Sequence, residues 1–357
     1  MKIKLEPLKP ALCTDTADLH VLVRLQADGH GTGTRLPLNL ALVIDRSGSM
    51  YGPNMEAAKD CAIDLIDRMA GDDRIAVVAY DTNVQTVLSL SPVGTAGPAA
   101  RTAIAQMRTG SSTDLHAGWW RGAELLAPSA VDSAVCHVIL LSDGHANRGL
   151  TDTDLIARQV SDLAARGITT TTVGIGTGFN EHLMTTMAQA GQGRAHYGER
   201  AVDLGETFDA EIGLLTQLQW RNIRLDLADA RADAEMMNRY LRSQDGWQMP
   251  SVAAGSECWA MLRIPMGRAR REQARHGTAL RIVVNATDAA GVPQQFAAQL
   301  GTLPELSFDE YDALPENALV ARRRLELQAA ELQFRIRDAV EHRDWRTAEA
   351  LFKELEL

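Results

Sequence analysis

The chain has 357 residues, a formal net charge of −10, and 45% hydrophobic against 23% charged residues. That length and apolar content predict two or three units with buried cores, and the acidic balance argues against nucleic acid or an anionic membrane as the main partner. There is no apolar run of about 18 residues, and the opening Met1-Lys2-Ile3-Lys4-Leu5-Glu6 lacks the apolar centre of a secretion signal. Cys13, Cys61, Cys136 and Cys258 lie far apart with no C-x-x-C pair, which predicts reduced thiols and a cytoplasmic chain.

In chain order, Leu19, Val21, Val23 and Leu25 alternate as in a half-buried strand, and residues 28–33 read as a glycine-rich turn. His20 and His30 have no partner at metal-ligand spacing and read as solvated. Leu38 to Ile44 is almost continuously apolar, the pattern of a strand covered on both faces in a parallel sheet. It ends in Asp45-Arg46-Ser47-Gly48-Ser49-Met50, and Pro53 opens a helix over residues 54–70, with Ala58, Ala62, Leu65, Ile66 and Met69 on one face and Gly71 closing it. A strand feeding a helix places this loop at the carboxyl end of the sheet, where open α/β folds bind ligands.

Strands follow at residues 74–80 and 84–90, then helices at 99–107 and 115–126. Between those helices lies Thr109-Gly110-Ser111-Ser112-Thr113-Asp114, a loop of glycine and hydroxyls. Trp119 and Trp120 are neighbours about 100° apart on the second helix, so one should pack inward while the other covers a surface. The buried strand 135–141 ends in Ser142-Asp143-Gly144-His145. A helix over 152–165 should face the sheet through Leu155, Val160 and Leu163. A strand at 168–175, a helix at 181–190, an edge strand at 194–197 and a helix at 203–215 complete the unit. The glycines after Ile175 lack the spacing of a dinucleotide or ATPase phosphate loop.

Asp45, Ser47 and Ser49 offer hard oxygens from one tight loop, which suits Mg²⁺, Mn²⁺ or Ca²⁺. One loop cannot supply six ligands, and Thr113 and Asp143 end comparable loops. This set resembles the von Willebrand factor A (VWA) family with its metal-ion-dependent adhesion site: D-x-S-x-S, a later threonine, then an aspartate after a later strand. All five positions match, at Asp45, Ser47, Ser49, Thr113 and Asp143, and the resemblance covers residues 36–218. It implies a doubly wound, Rossmann-like α/β domain, and a Mg²⁺-like ion whose open position takes an Asp or Glu of a protein partner. Arg46, Met50, Tyr51, His145 and Arg148 would form the rim that reads the partner's other groups. For bacterial cytoplasmic members the resemblance also implies partners such as AAA+ ATPases, kinases or phosphatases. A metal-assisted hydrolase of phosphatase or esterase type is the alternative; it needs a general base, for which His145 is the candidate, and binding is the preferred reading.

After residue 218 the pattern changes to alternating strands, carried by Ile223, Leu225 and Leu227, by Cys258, Ala260, Leu262 and Ile264, and by Leu280, Ile282, Val284 and Ala286. Turn signals between them predict an antiparallel β-sandwich over 219–303 that recruits the strands of residues 1–35, so the VWA domain of 36–218 is an insertion. Residues 304–357 read as a helical hairpin. Leu325, Ala329, Leu332, Ile336 and Val340 form one stripe; Asp344 caps a second helix with Trp345, Ala348, Phe352 and Leu355. Packing on the sandwich is preferred over service as a docking module, and Arg322, Arg323 and Arg324 read as a solvated face.

Overall fold

The computed structural model describes residues 1–14, 18–29, 35–129, 134–143, 146–176, 179–198, 201–228, 234–341 and 343–355. Its organising element is the strand Leu38–Asp45, buried at every position. Arg74–Tyr80 pairs with one edge of it and Val135–Ser142 with the other, both parallel. The sheet runs in the order Val84–Pro92, Arg74–Tyr80, Leu38–Asp45, Val135–Ser142, Ile168–Ile175, Gln192–Gly198. Only Val84–Pro92 is antiparallel to its neighbour. Strand order therefore turns back at Leu38–Asp45, which makes its carboxyl end the switch point at which a crevice opens.

Helices cover both faces. Pro53–Arg68 and Ala201–Thr216 pack on one through Ala58, Leu65 and Phe208, and Leu115–Leu126, Thr153–Ala165 and Glu181–Ala190 on the other through Trp119, Ile156 and Met187. Asp114, Asp152 and Asn180 each accept a backbone N–H of the first turn, fixing three helix starts. Trp119 is fully buried and Trp120 half-exposed, as two neighbours on one helix must be. Leu155, expected against the sheet, is instead 44% exposed, and Ile156 and Val160 take that face. The helix expected at 99–107 spans Val93–Ala105, because Val93 and Gly94 already donate to the carbonyls of Asp73 and Gly71. All four cysteines are buried thiols.

The flanks build a second core. Lys2–Pro7, Asp18–Gln26, Glu257–Pro265 and Glu235–Met236 form one antiparallel sheet, with Leu19 opposite Ile264 and Leu25 opposite Cys258. Leu218–Leu227, Leu280–Asp288 and Pro293–Leu300 anchor the other, and Val21, Val23, Leu225, Leu262 and Ile282 meet between the two. Entry and exit of the α/β unit lie side by side: Leu36 N–H donates to Thr216 O at 2.9 Å, and Ala254 N–H to Gln217 O at 2.9 Å.

The helices Ala318–Glu341 and Trp345–Leu355 pack against each other, and the expected stripe is buried only in part, at Ile336 and Ala348. Val320 is buried against Leu22 and Met261 on the outer face of the four-stranded sheet. Ile336, Ala339, Ala348 and Leu351 are buried further along, while Leu325, Val340, Trp345 and Phe352 are exposed. Arg323 is only partly solvated: its guanidinium lies over the Trp259 ring, 4.5 Å from the centroid. His20, expected to be solvated, is half-buried, and burial together with the charge of Arg324 lowers its pKa.

Candidate metal centre

Register delivers the site. Asp45 stands opposite Tyr80 on one neighbouring strand, and Ile44 opposite Leu141 on the other, so Ser142 and Asp143 emerge beside Asp45. The Asp45 carboxylate is fully buried and oriented from three directions. One oxygen accepts the Ser47 backbone N–H at 2.7 Å; the other accepts the Ser142 hydroxyl at 2.6 Å and the Tyr80 hydroxyl at 3.2 Å. Burial pushes the Asp45 carboxyl above the ordinary carboxylate range and the charge of Asp143 adds to that, opposed by the donors from Ser142 and Ser47. Two buried carboxyls whose charges act on each other favour a positive charge nearby.

Ser47 and Ser49 bring their hydroxyl oxygens to 3.1 Å. Adjacent ligands of an octahedral ion with bonds of about 2.1 Å are about 3.0 Å apart, so this pair fits neighbouring positions around a Mg²⁺-sized cation. The 109–114 loop is pinned to theirs: Gly48 N–H donates to Ser111 O at 2.7 Å, and Gly110 N–H to Arg46 O at 2.6 Å. Gly110 is required, since a Cβ there would lie 2.0 Å from the Asp81 carboxylate. Thr113 is buried, its N–H donating to Asn147 Oδ1 at 2.8 Å and its carbonyl accepting from Asn147 and Arg148. Asp143 is buried too, and its carbonyl accepts from Asn180 N–H at 3.0 Å. Three loops are thus tied together by backbone bonds around hydroxyl and carboxylate oxygens. Among the described residues no three His, Cys, Asp or Glu side chains converge as a metal site, so the hydroxyl-rich loops are the candidate.

The expected rim divides. Tyr51 is 78% exposed and Arg148 is exposed, whereas Arg46 is held by Asp81 at 3.2 Å and Gln85 at 3.2 Å. Met50 is not a rim residue: the short turn Gly48–Met50 swings its side chain fully into the core with Leu65 and Ile66. His145 lies outside the described residues. Sequence reasoning missed Tyr80, Ser142 and Asn147, whose roles come from strand register and loop contact rather than local pattern. It also missed a polar cluster at the opposite ends of the strands. There the buried Glu211 accepts from the Thr171 hydroxyl at 2.7 Å and from Arg194 at 3.1 Å, with His196 at 3.5 Å and the buried His137 at 3.8 Å.

A doubly wound sheet with hydroxyl and carboxylate loops at its switch point defines the class of fold and site. Residues 39–210 match the von Willebrand factor type A domain, so this part of the chain is a domain of that family. Domains of the family mediate protein–protein interactions, generally metal-dependent ones. An uncharacterized protein of Synechocystis sp., sll0103, is 33% identical over 195 residues, covering 55% of this chain and 45% of that protein. Inter-alpha-trypsin inhibitor heavy chain H3 of Mus musculus is 25% identical over 169 residues, 45% of this chain and 19% of that one. The chain thus spans less than half the length of these curated relatives. A solved von Willebrand factor type A protein from Catenulispora acidiphila superposes with a TM-score of 0.74 at 19% identity, covering 99% of this chain and 87% of that one, so the likeness of fold extends to the flanks. Among the described residues no helix is long and apolar enough to cross a membrane.

Proposed function

We propose that this protein is a metal-ion-dependent binding module rather than an enzyme. Ser47, Ser49 and Thr113 contact one divalent cation, Mg²⁺ or its analogues Mn²⁺ and Ca²⁺, and Asp45 and Asp143 hold the hydroxyls and waters around it. The 3.1 Å separation of the two serine hydroxyls, beside a carboxylate locked by three donors, carries the reading. Neutral hydroxyls in the coordination shell leave the ion strongly electrophilic, and a carboxylate of a partner protein completes it. An AAA+ ATPase, kinase or phosphatase offering an exposed Asp or Glu fits this description. The acidic chain repels such a partner at long range, so the cation supplies the local attraction. Tyr51 and Arg148 then touch whatever flanks the partner's acidic residue.

Mn²⁺ titration followed by electron paramagnetic resonance tests the site directly. One saturable site that Mg²⁺ competes for is expected, absent in Asp45→Ala and Thr113→Ala proteins whose circular dichroism is unchanged. Either variant retaining wild-type Mn²⁺ affinity refutes the assignment.

A further inference from the structure

Leu325, Ala329 and Leu332 are spaced to be buried along one helix face, yet Ala329 and Leu332 are only half-buried and Leu325 is exposed. Leu325 is 59% exposed. With Met236, Met237 and Leu241 across from them, they line an open groove of about 1460 Å³ that lies between Ala318–Glu341, the 235–241 edge of the sandwich and the helices Thr153–Ala165 and Glu181–Ala190.

Both walls are held in place. Val320 anchors one end of the long helix against Leu22 and Met261 on the outer face of the four-stranded sheet. Farther along, the Arg239 guanidinium sits 3.2 Å from the Phe334 ring centroid and pairs with Glu331 at 3.4 Å, and Arg337 reaches Glu181 at 3.4 Å. The groove is therefore part of the fold rather than a fraying end.

Its charge is one-sided. Among the described residues that line it there are six carboxylates and three guanidiniums, and two of the guanidiniums, Arg239 and Arg263, are already paired with Glu331 and Glu235. Asp152, Asp154 and Glu354 stand exposed on the rim. A floor of Leu and pliable Met under an acidic rim is complementary to an amphipathic helix with an apolar stripe and basic flanks. Leu325 and Leu332 lie about 10 Å apart along the helix, two turns, the repeat of apolar anchors on such a partner.

We propose that this groove docks a basic amphipathic helix of a partner protein, at a site separate from the metal loops. The probe is a fluorescein-labelled synthetic Leu/Lys peptide with helical apolar periodicity, read by fluorescence anisotropy against the full chain, beside a peptide of the same composition in scrambled order. The periodic peptide should bind saturably, at least tenfold tighter than the scrambled one, and more weakly as salt rises. Leu325→Ser/Leu332→Ser and Asp154→Lys/Glu354→Lys should each weaken it about tenfold, the latter pair changing only exposed groups, while Asp45→Ala and EDTA leave it unchanged. Equal binding of the two peptides, or undiminished binding to both double variants, overturns the proposal. So does a concentration-dependent dimer in sedimentation that Leu325→Ser/Leu332→Ser abolishes, which assigns the groove to a second copy of the chain.

Discussion

Acidification should unfold this protein through His137. The imidazole is almost fully buried, its Nδ1 is 2.6 Å from the Thr169 hydroxyl, and burial holds its pKa down at about 4, helped by the charges of His196 and Arg194 and opposed by Glu211. In the unfolded chain the same ring titrates near 6.5. Between those values the unfolded state carries a proton that the native state refuses, so stability rises with pH and falls on acidification. The contribution is complete above pH 6.5 and is lost progressively toward pH 4, about 3 kcal/mol in all at about 1.4 kcal/mol per pH unit. Glu211 acts in the same direction in a lower window: burial pushes its carboxyl up, but His196, His137, Thr171 and Arg194 outweigh this and bring it to about 2, so its contribution fades from pH 4.5 downward. Urea unfolding at a series of pH values, followed by tryptophan fluorescence, separates the two. His137→Asn keeps a group within reach of Thr169 but cannot protonate, so between pH 6.5 and 4.5 its stability should fall by about 2 kcal/mol less than that of the wild type. If the two pH dependences superimpose in that window, burial of His137 is not what opposes its protonation.

Ser142→Ala removes the 2.6 Å donor to the Asp45 carboxyl, a bond worth about 1.5–3 kcal/mol to the charged form that a cation favours. Mn²⁺ should therefore bind about 10- to 100-fold more weakly, and unchanged affinity in the same titration would count against Asp45 as the organiser of the site. Gly118→Ala builds a Cβ 2.4 Å from the Tyr80 ring, so thermal unfolding should show a loss of about 1–3 kcal/mol together with weakened Mn²⁺ binding; a neutral variant contradicts the packing. Residues 36–218 excised as a unit should unfold cooperatively in urea, because their ends meet at Leu36 and Thr216; a non-cooperative transition means that the α/β unit depends on its flanks.

Some of this was legible in the residues alone. A strand covered on both faces must be almost wholly apolar, and Leu38–Ile44 is, with Asn39 as its one polar residue; alternation marked Leu19–Leu25 as half-buried. The five candidate oxygen donors were visible as hydroxyl and carboxylate side chains at loop ends, the kind a hard cation would take, and Asp45, Ser47, Ser49, Thr113 and Asp143 all sit where strands or turns precede helices. These are local requirements, written in local sequence.

What only the tertiary structure decided depends on which elements become neighbours. Tyr80 and Ser142 hold the Asp45 carboxylate because parallel register puts three strand ends side by side, and nothing near Tyr80 in the chain announces that. Met50 looked like a rim residue one position after Ser49, but a tight turn reverses direction within three residues and sends it inward. Glu211 and His137 read as ordinary helix and strand residues until the helix Ala201–Thr216 is laid across the sheet. The stripe from Leu325 to Val340 was correctly read as apolar at helical period, yet periodicity records only that a face is fit for burial. Which positions of that face are covered is decided by what packs there: Ile336 is buried, while Leu325 and Val340 are exposed.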